Sequence, residues 1–135
     1  MPYTLTLYRS RGFYRAKFEG VVTGTELMEF ARHHSLDKDL SACRRVLMDL
    51  SETNYEGSSL GQLEAIVDMV ERFLRRRRVT GLRTAVLVTQ AFQVGLSNQY
   101  RLIAESRGIR PEIYDFRPFT DAGEALAWLS EAEPS

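Results

Sequence analysis

Between residues 60 and 74, apolar side chains recur as Leu60, Leu63, Ile66, Val67, Val70, Phe73 and Leu74, at spacings of three and four. That period fits one face of an α-helix and does not fit a strand. Two short apolar stretches, Val46–Leu50 and Thr84–Thr89, flank the run and show no alternation. Continuous apolar runs of this kind mark strands covered on both faces. A buried strand, a helix of ~20 residues and ~30 Å, and a second buried strand make a parallel crossover unit. The helix must lay its apolar stripe on the sheet, so this segment directs the chain to an α/β architecture.

The remaining elements extend that unit. Tyr3–Tyr8 alternates as a strand, Ser10-Arg11-Gly12 turns the chain, and Phe13–Glu19 alternates again. The pair reads as an antiparallel hairpin with one solvated face. Thr23-Gly24-Thr25-Glu26 is a capping box that starts a helix with Leu27, Phe30, Ala31 and His34 on one face. Leu36–Ala42 reads as a polar linker, and Arg45–Leu50 as the third strand. After the central helix and the Thr84–Thr89 strand, Gln93–Arg107 reads as a helix closed by Gly108. Glu112–Phe116 reads as a last strand, and Asp121 to Glu124 as a second capping box before a final helix. The expected order is β-β-α-β-α-β-α-β-α, in a mixed sheet of about five strands within a single domain spanning residues 1–135.

Composition narrows the function classes. Lys+Arg and Asp+Glu both number 18, for a net charge of zero. A nucleic-acid binder ordinarily carries a basic excess, so no nucleic-acid partner is expected. Cys43 is the only cysteine, which excludes an intrachain disulfide or a cysteine-rich metal cluster and fits a reducing cytoplasm. The N-terminal residues lack the pattern of a signal peptide, and no apolar run reaches the ~18 residues of a membrane span. The expectation is a cytoplasmic protein.

Ser58 and Ser59 stand where the strand ending near Asp49 hands over to the long helix. Free N–H groups and the positive end of the helix dipole gather at such a place. It can hold an anion, carry a phosphate, or cap the helix, with Ser59 and Gln62 as a capping box. Asp49, Ser51, Glu56, Thr89 and Gln90 are expected near the same sheet edge, where ligands of open α/β sheets gather. They form a candidate polar groove, or else loop residues that satisfy backbone groups.

Other features read as ordinary. His33 and His34 are adjacent on a helix and point ~100° apart, so they do not chelate together; His34 falls on the apolar stripe and His33 is expected to be exposed. Arg75–Arg78 reads as a solvated helix end complementing the dipole. Cys43, beside Arg44 and Arg45, reads as a small buried residue or a reactive thiol. Tyr55, Phe92 and Tyr100 are candidates for an exposed aromatic patch. The chain has no Walker lysine, no G-x-G-x-x-G and no G-x-S-x-G elbow, so no catalytic residue, metal site or cofactor is assigned and the expectation is a non-enzyme.

The element order, with Asp49-Leu50-Ser51 and Ser58-Ser59-Leu60-Gly61, resembles the STAS domain, the SpoIIAA-like fold of bacterial anti-sigma factor antagonists. Phe119 and Glu124-Ala125-Leu126-Ala127-Trp128-Leu129 also resemble a looser group of bacterial STAS/SEC14-like proteins, mostly without an assigned function. The first resemblance implies a regulatory module that binds a protein at the strand-to-helix edge, with Ser58 as the phosphorylation position and a kinase-like regulator as one partner. Gly57 stands where the antagonists carry an aspartate, with Glu56 before it, and Leu60 stands where they carry glycine. The chain is thus degenerate relative to the antagonist pattern. The second resemblance implies a binder of a small apolar or lipid-like ligand, with a pocket of at least ~300 Å³ between helices and sheet. The exposed edge of the hairpin also offers a homodimer contact.

Overall fold

A computed structural model describes residues 3–55 and 60–131 of the chain. The strands β1 (Tyr3–Tyr8), β2 (Phe13–Val22), β3 (Arg45–Tyr55), β4 (Leu82–Leu87) and β5 (Tyr114–Phe119) form one mixed sheet in the order β1-β2-β3-β4-β5. β1 runs antiparallel to β2, and every other neighbouring pair is parallel. The helices are α1 (Gly24–Leu36), α2 (Lys38–Ala42), α3 (Leu60–Arg77), α4 (Ala91–Ser106) and α5 (Ala122–Leu129). This is the α/β class and the mixed five-strand sheet that the sequence pattern predicts.

The hairpin forms through a short 3₁₀ turn, Arg9–Arg11, closed by Gly12 at φ 73°. Only glycine enters that left-handed region without steric cost. The capping box at Thr23 forms in both directions: Glu26 N donates to Thr23 Oγ1 at 3.4 Å, and Thr23 N donates to Glu26 Oε2 at 3.3 Å.

Helices α1, α3 and α4 cover one face of the sheet, where Tyr14, Phe18, Phe30, Val67, Phe73 and Val86 are among the buried side chains. Helix α5 covers part of the other face, burying Ala125, Trp128 and Leu129 against Phe13, Leu47, Ala85 and Leu87. The apolar run of β3 thus has a partner on each side. Val46 faces the three-helix layer and Leu47 faces α5.

Several elements depart from the expectation, and β4 lies two residues earlier, at Leu82–Leu87 rather than Thr84–Thr89. The stretch read as a linker contains α2, because Asp37 Oδ1 accepts from Asp39 N at 2.9 Å and Leu40 N at 3.0 Å. Leu40 then closes into the core. β3 does not stop near Asp49 but runs to Tyr55. β4 pairs with β3 only as far as Asp49↔Leu87, while β2 continues beside it from Glu19↔Glu52 to Val22↔Tyr55 after a bulge between Lys17 and Glu19. The polar residues of this extension have a neighbouring strand on one side only, so they carry no buried-strand signature. β2 accordingly runs to Val22. β5 lies later than expected and contains Pro118, which is tolerated because β5 is an edge strand.

Candidate functional site

Asp49 is 2 % exposed. It shares the α5 side of the sheet with Arg15, and the β2–β3 register sets Arg15 opposite Leu47 and Lys17 opposite Asp49. Arg15 reaches diagonally and donates to Asp49 Oδ2 through Nε, at 3.1 Å, and through a terminal nitrogen. The other oxygen, Oδ1, accepts from Ser51 N at 3.0 Å and Ser51 Oγ at 2.5 Å. Burial pushes the Asp49 carboxyl up, but the Ser51 bonds and the Arg15 guanidinium outweigh it and hold the group below the ordinary carboxylate range. Asp49 is therefore ionised and saturated with donors. It is an anchor for the strand rather than an open wall of a groove.

Of the other predicted groove residues, Thr89 and Gln90 are exposed. Their backbone N–H groups both donate to Gln93 Oε1, each at 3.1 Å. They act as the backbone-satisfying loop of the plainer reading. Ser51 and Thr89 each lie two positions beyond the Asp49–Leu87 register pair, at one end of the sheet. Ser58, Ser59 and Glu56 lie outside the described residues.

The histidine pair divides. His34 is buried, and its Nδ1 is hydrogen-bonded to Tyr14 Oη. Burial pushes the His34 imidazole down to about 4, with Arg44 and His33 adding to the shift and Asp37 opposing it. Burial also raises the Tyr14 phenol, so the pair is a neutral hydrogen bond at neutral pH. His33 is half-buried, where exposure was expected, because Tyr3 Oη lies 2.7 Å from its Nδ1. Tyr100 is buried against Tyr114 and Phe116 and contributes to no exposed patch; the side chains of Tyr55 and Phe92 lie outside those described. Arg75–Arg78 are exposed. The half-buried Cys43 thiol donates to Arg45 O at 3.2 Å.

Between the sheet and the α1, α3 and α4 layer lies a cavity of about 110 Å³. Met48, Val70, Phe73, Val86 and Leu96 are among its apolar lining residues, and His34 and Gln93 among its polar ones. Its place is the one expected for an apolar ligand, but its volume is well below the ~300 Å³ of a pocket for a lipid-like molecule. Arg15 and Gln93 escaped the sequence reading. Arg15 is hidden in an alternating strand 34 residues from its partner. Gln93 follows Gln90 at the spacing of a capping box, a signal that was available. Among the described residues, no group of three or more His, Cys, Asp or Glu side chains is placed to hold a metal, and no helix is long and apolar enough to cross a membrane.

Comparison with known proteins bears on the fold. No protein-family model matches the chain, and no curated protein matches it in sequence. Among solved structures, an uncharacterised protein of the DUF3478 family with a SpoIIAA-like fold, from Shewanella loihica PV-4, aligns with a TM-score of 0.54 at 16% identity, covering 94% of this chain and 91% of that one. The anti-sigma factor antagonist SpoIIAA in its unphosphorylated form aligns with a TM-score of 0.52 at 10% identity, covering 93% and 94%. The chain thus has the SpoIIAA-like fold of STAS domains, as its element order and its Asp49-Leu50-Ser51 run suggest.

Proposed function

We propose that this protein is a non-catalytic regulatory module that binds a protein partner at the edge where β3 hands over to α3, around Ser58. The observation that carries the reading is the Arg15–Asp49–Ser51 cluster. It commits both carboxylate oxygens of Asp49 to fixed donors. A carboxylate held in this way ties β3 to β2 and is poorly suited to move protons. The likeness in fold to an anti-sigma factor antagonist supports a partner that is itself a protein.

Helix α3 begins at Leu60, two residues after Ser58. A phosphoryl group there adds close to two negative charges beside the helix N-terminus and changes what the edge attracts. A kinase-like regulator is the corresponding partner, and the cytoplasm the corresponding compartment. The test is a pull-down from the source cell with wild-type and Ser58→Asp protein, joined to phosphopeptide mass spectrometry of the native chain. The expected result is a partner retained by one form and lost by the other. Identical partner lists, with Ser58 and Ser59 unmodified under several growth conditions, would remove this edge as a control point.

A further inference from the structure

We propose that the free edge of β1 is a self-association surface, on which a second copy of this chain pairs antiparallel about a two-fold axis through Leu5 and joins the two sheets into one. The proposal does not depend on the Ser58 reading.

The sheet has two edges, β1 and β5, and they are built differently. Unpaired N–H and C=O groups on an edge strand invite another strand, and proteins blunt such edges with charge, proline or a bulge. β5 carries charge and proline. Leu82 N donates to Ile113 O and Val88 N to Phe119 O, so the odd-numbered residues along β5 turn their backbone groups toward β4. Pro118 is even-numbered, and its nitrogen, which carries no hydrogen, lies on the free side. Asp115 and Arg117 add charge to the same strand. β1 has none of these devices. Its six residues are Tyr, Thr, Leu, Thr, Leu and Tyr, and Tyr and Thr are enriched in strands. Its register with β2 is unbroken from Tyr3↔Phe18 to Tyr8↔Phe13. Thr4, Thr6 and Leu7 are exposed.

The pattern of β1 fits a copy of itself. Tyr3 and Leu5 pack on the side of the three-helix layer, and Leu7 shares that side by alternation. Thr4 and Thr6 face the other way, with Tyr8. A two-fold axis perpendicular to the sheet keeps like faces together only if it passes through a residue rather than between two. Through Leu5, the opposed pairs are Leu5 with the partner's Leu5, Tyr3 with the partner's Leu7, and Thr4 with the partner's Thr6. Each apolar side chain then meets an apolar one, Leu7 is covered, and each threonine meets a threonine, which are stabilising cross-strand pairs. Through Thr6, by contrast, Thr4 meets the partner's Tyr8 and Tyr3 meets the partner's Arg9.

Charge complements the same arrangement. Arg9 and Arg11 are exposed beyond the Tyr8 end of β1. Glu29 of α1 is exposed at the Tyr3 end, near enough for its charge to add to burial in raising the Tyr3 phenol. Antiparallel pairing brings the Arg9 end of each copy to the Glu29 end of the other. The axis repeats every such match, which is what selects a second copy over an unrelated strand. A contact centred on one short strand falls below the ~1,200 Å² of a standard stable interface, so the dimer is a weak one.

The experiment is sedimentation velocity of the full chain from low micromolar concentration to about 1 mM, with circular dichroism as the check of folding. The wild type is expected to pass reversibly from monomer to dimer. Thr4→Lys with Thr6→Lys changes only exposed side chains and sets like charges face to face on both sides of the axis; association should weaken about tenfold or more. Thr4→Lys with Thr6→Glu sets opposite charges face to face instead and should associate at least as well as the wild type. An axis through Thr6 would oppose two glutamates in that variant, so the pair of variants reads the register. If either variant loses the wild-type dichroism, hydrogen exchange of the wild type decides, with protection of β1 expected to rise with protein concentration. A wild type that stays monomeric at about 1 mM, or β1 protection that is independent of concentration, would overturn the proposal. So would a dimer that the double-lysine variant leaves intact, or a lysine–glutamate variant as weak as the double-lysine one.

Discussion

At residue 34, the interface between α1 and the sheet accommodates only a neutral imidazole. Its folded value of about 4 lies below the 6.5 of an ordinary imidazole. Between those values the unfolded chain binds a proton that the folded chain refuses, so stability rises with pH across the window and falls as acid is added. The contribution is complete above pH ~6.5 and amounts to at most about 3 kcal/mol over the whole shift. Urea unfolding at pH 7 and pH 5 should show a smaller loss for His34→Leu than for the wild type. Equal losses would mean that other groups carry the acid sensitivity. Asp49 has the opposite chemistry and is fully engaged. Asp49→Ala should lower stability by about 1–3 kcal/mol, read from the urea midpoint at constant slope. An unchanged midpoint would show that Arg15 and Ser51 do not anchor β3. The sequence marked Asp49 as notable, but no local pattern shows that Arg15, on another strand, is its partner.

Helices α3 and α4 end in the same motif with different residues. At the end of α4, Gly108 N donates to Glu105 O at 3.0 Å and Ile109 N to Ala104 O at 3.1 Å, with Gly108 at φ 78°. At the end of α3, Arg78 N donates to Arg75 O at 3.3 Å and Val79 N to Leu74 O at 2.9 Å, with Arg78 at φ 51°. The second bond of each pair closes the helix and turns the next apolar side chain, Val79 or Ile109, into the core. An arginine in the left-handed region is disfavoured by roughly 1 kcal/mol. Arg78 is exposed, so its side chain is dispensable to packing. Arg78→Gly should therefore raise thermal stability by up to about 1 kcal/mol, measured by calorimetry; a loss would show that the guanidinium has a structural partner. Gly108 was recognisable in the sequence as a helix stop. Arg78 was not, because a run of four arginines conceals which one turns left-handed.

At the scale of the molecule, α5 is the sole helix of its layer among the described residues and is too short to be stable alone, since isolated helices below ~12 residues are marginal. It is held by the burial of Trp128 and Leu129 and by Arg83, which donates to Trp128 O at 3.1 Å and Glu131 O at 3.0 Å. The guanidinium groups of Arg83 and Arg117 lie 5.6 and 4.9 Å from the Trp128 ring centre. Trp128 is also the only tryptophan, so its fluorescence reports on this docking. If the chain is one cooperative domain, urea transitions followed by Trp128 fluorescence and by far-UV circular dichroism coincide. An earlier fluorescence transition would make α5 a separately melting element. Trp128→Ala should lower stability by about 3–5 kcal/mol.

Much of this architecture follows from sequence alone, because local periodicity and capping chemistry report which residues enter a helix or a strand. The stripe from Leu63 to Leu74, the apolar runs around Val46 and Val86, and the box at Thr23 set the element order, and that order implies a SpoIIAA-like sheet. Tertiary structure decided what the polar residues do. Arg15 meets Asp49 through strand register, and Gln93 is left with one unpaired donor because Thr89 and Gln90 claim its oxygen. Those pairings depend on distance in space, and separation along the chain carries no record of them.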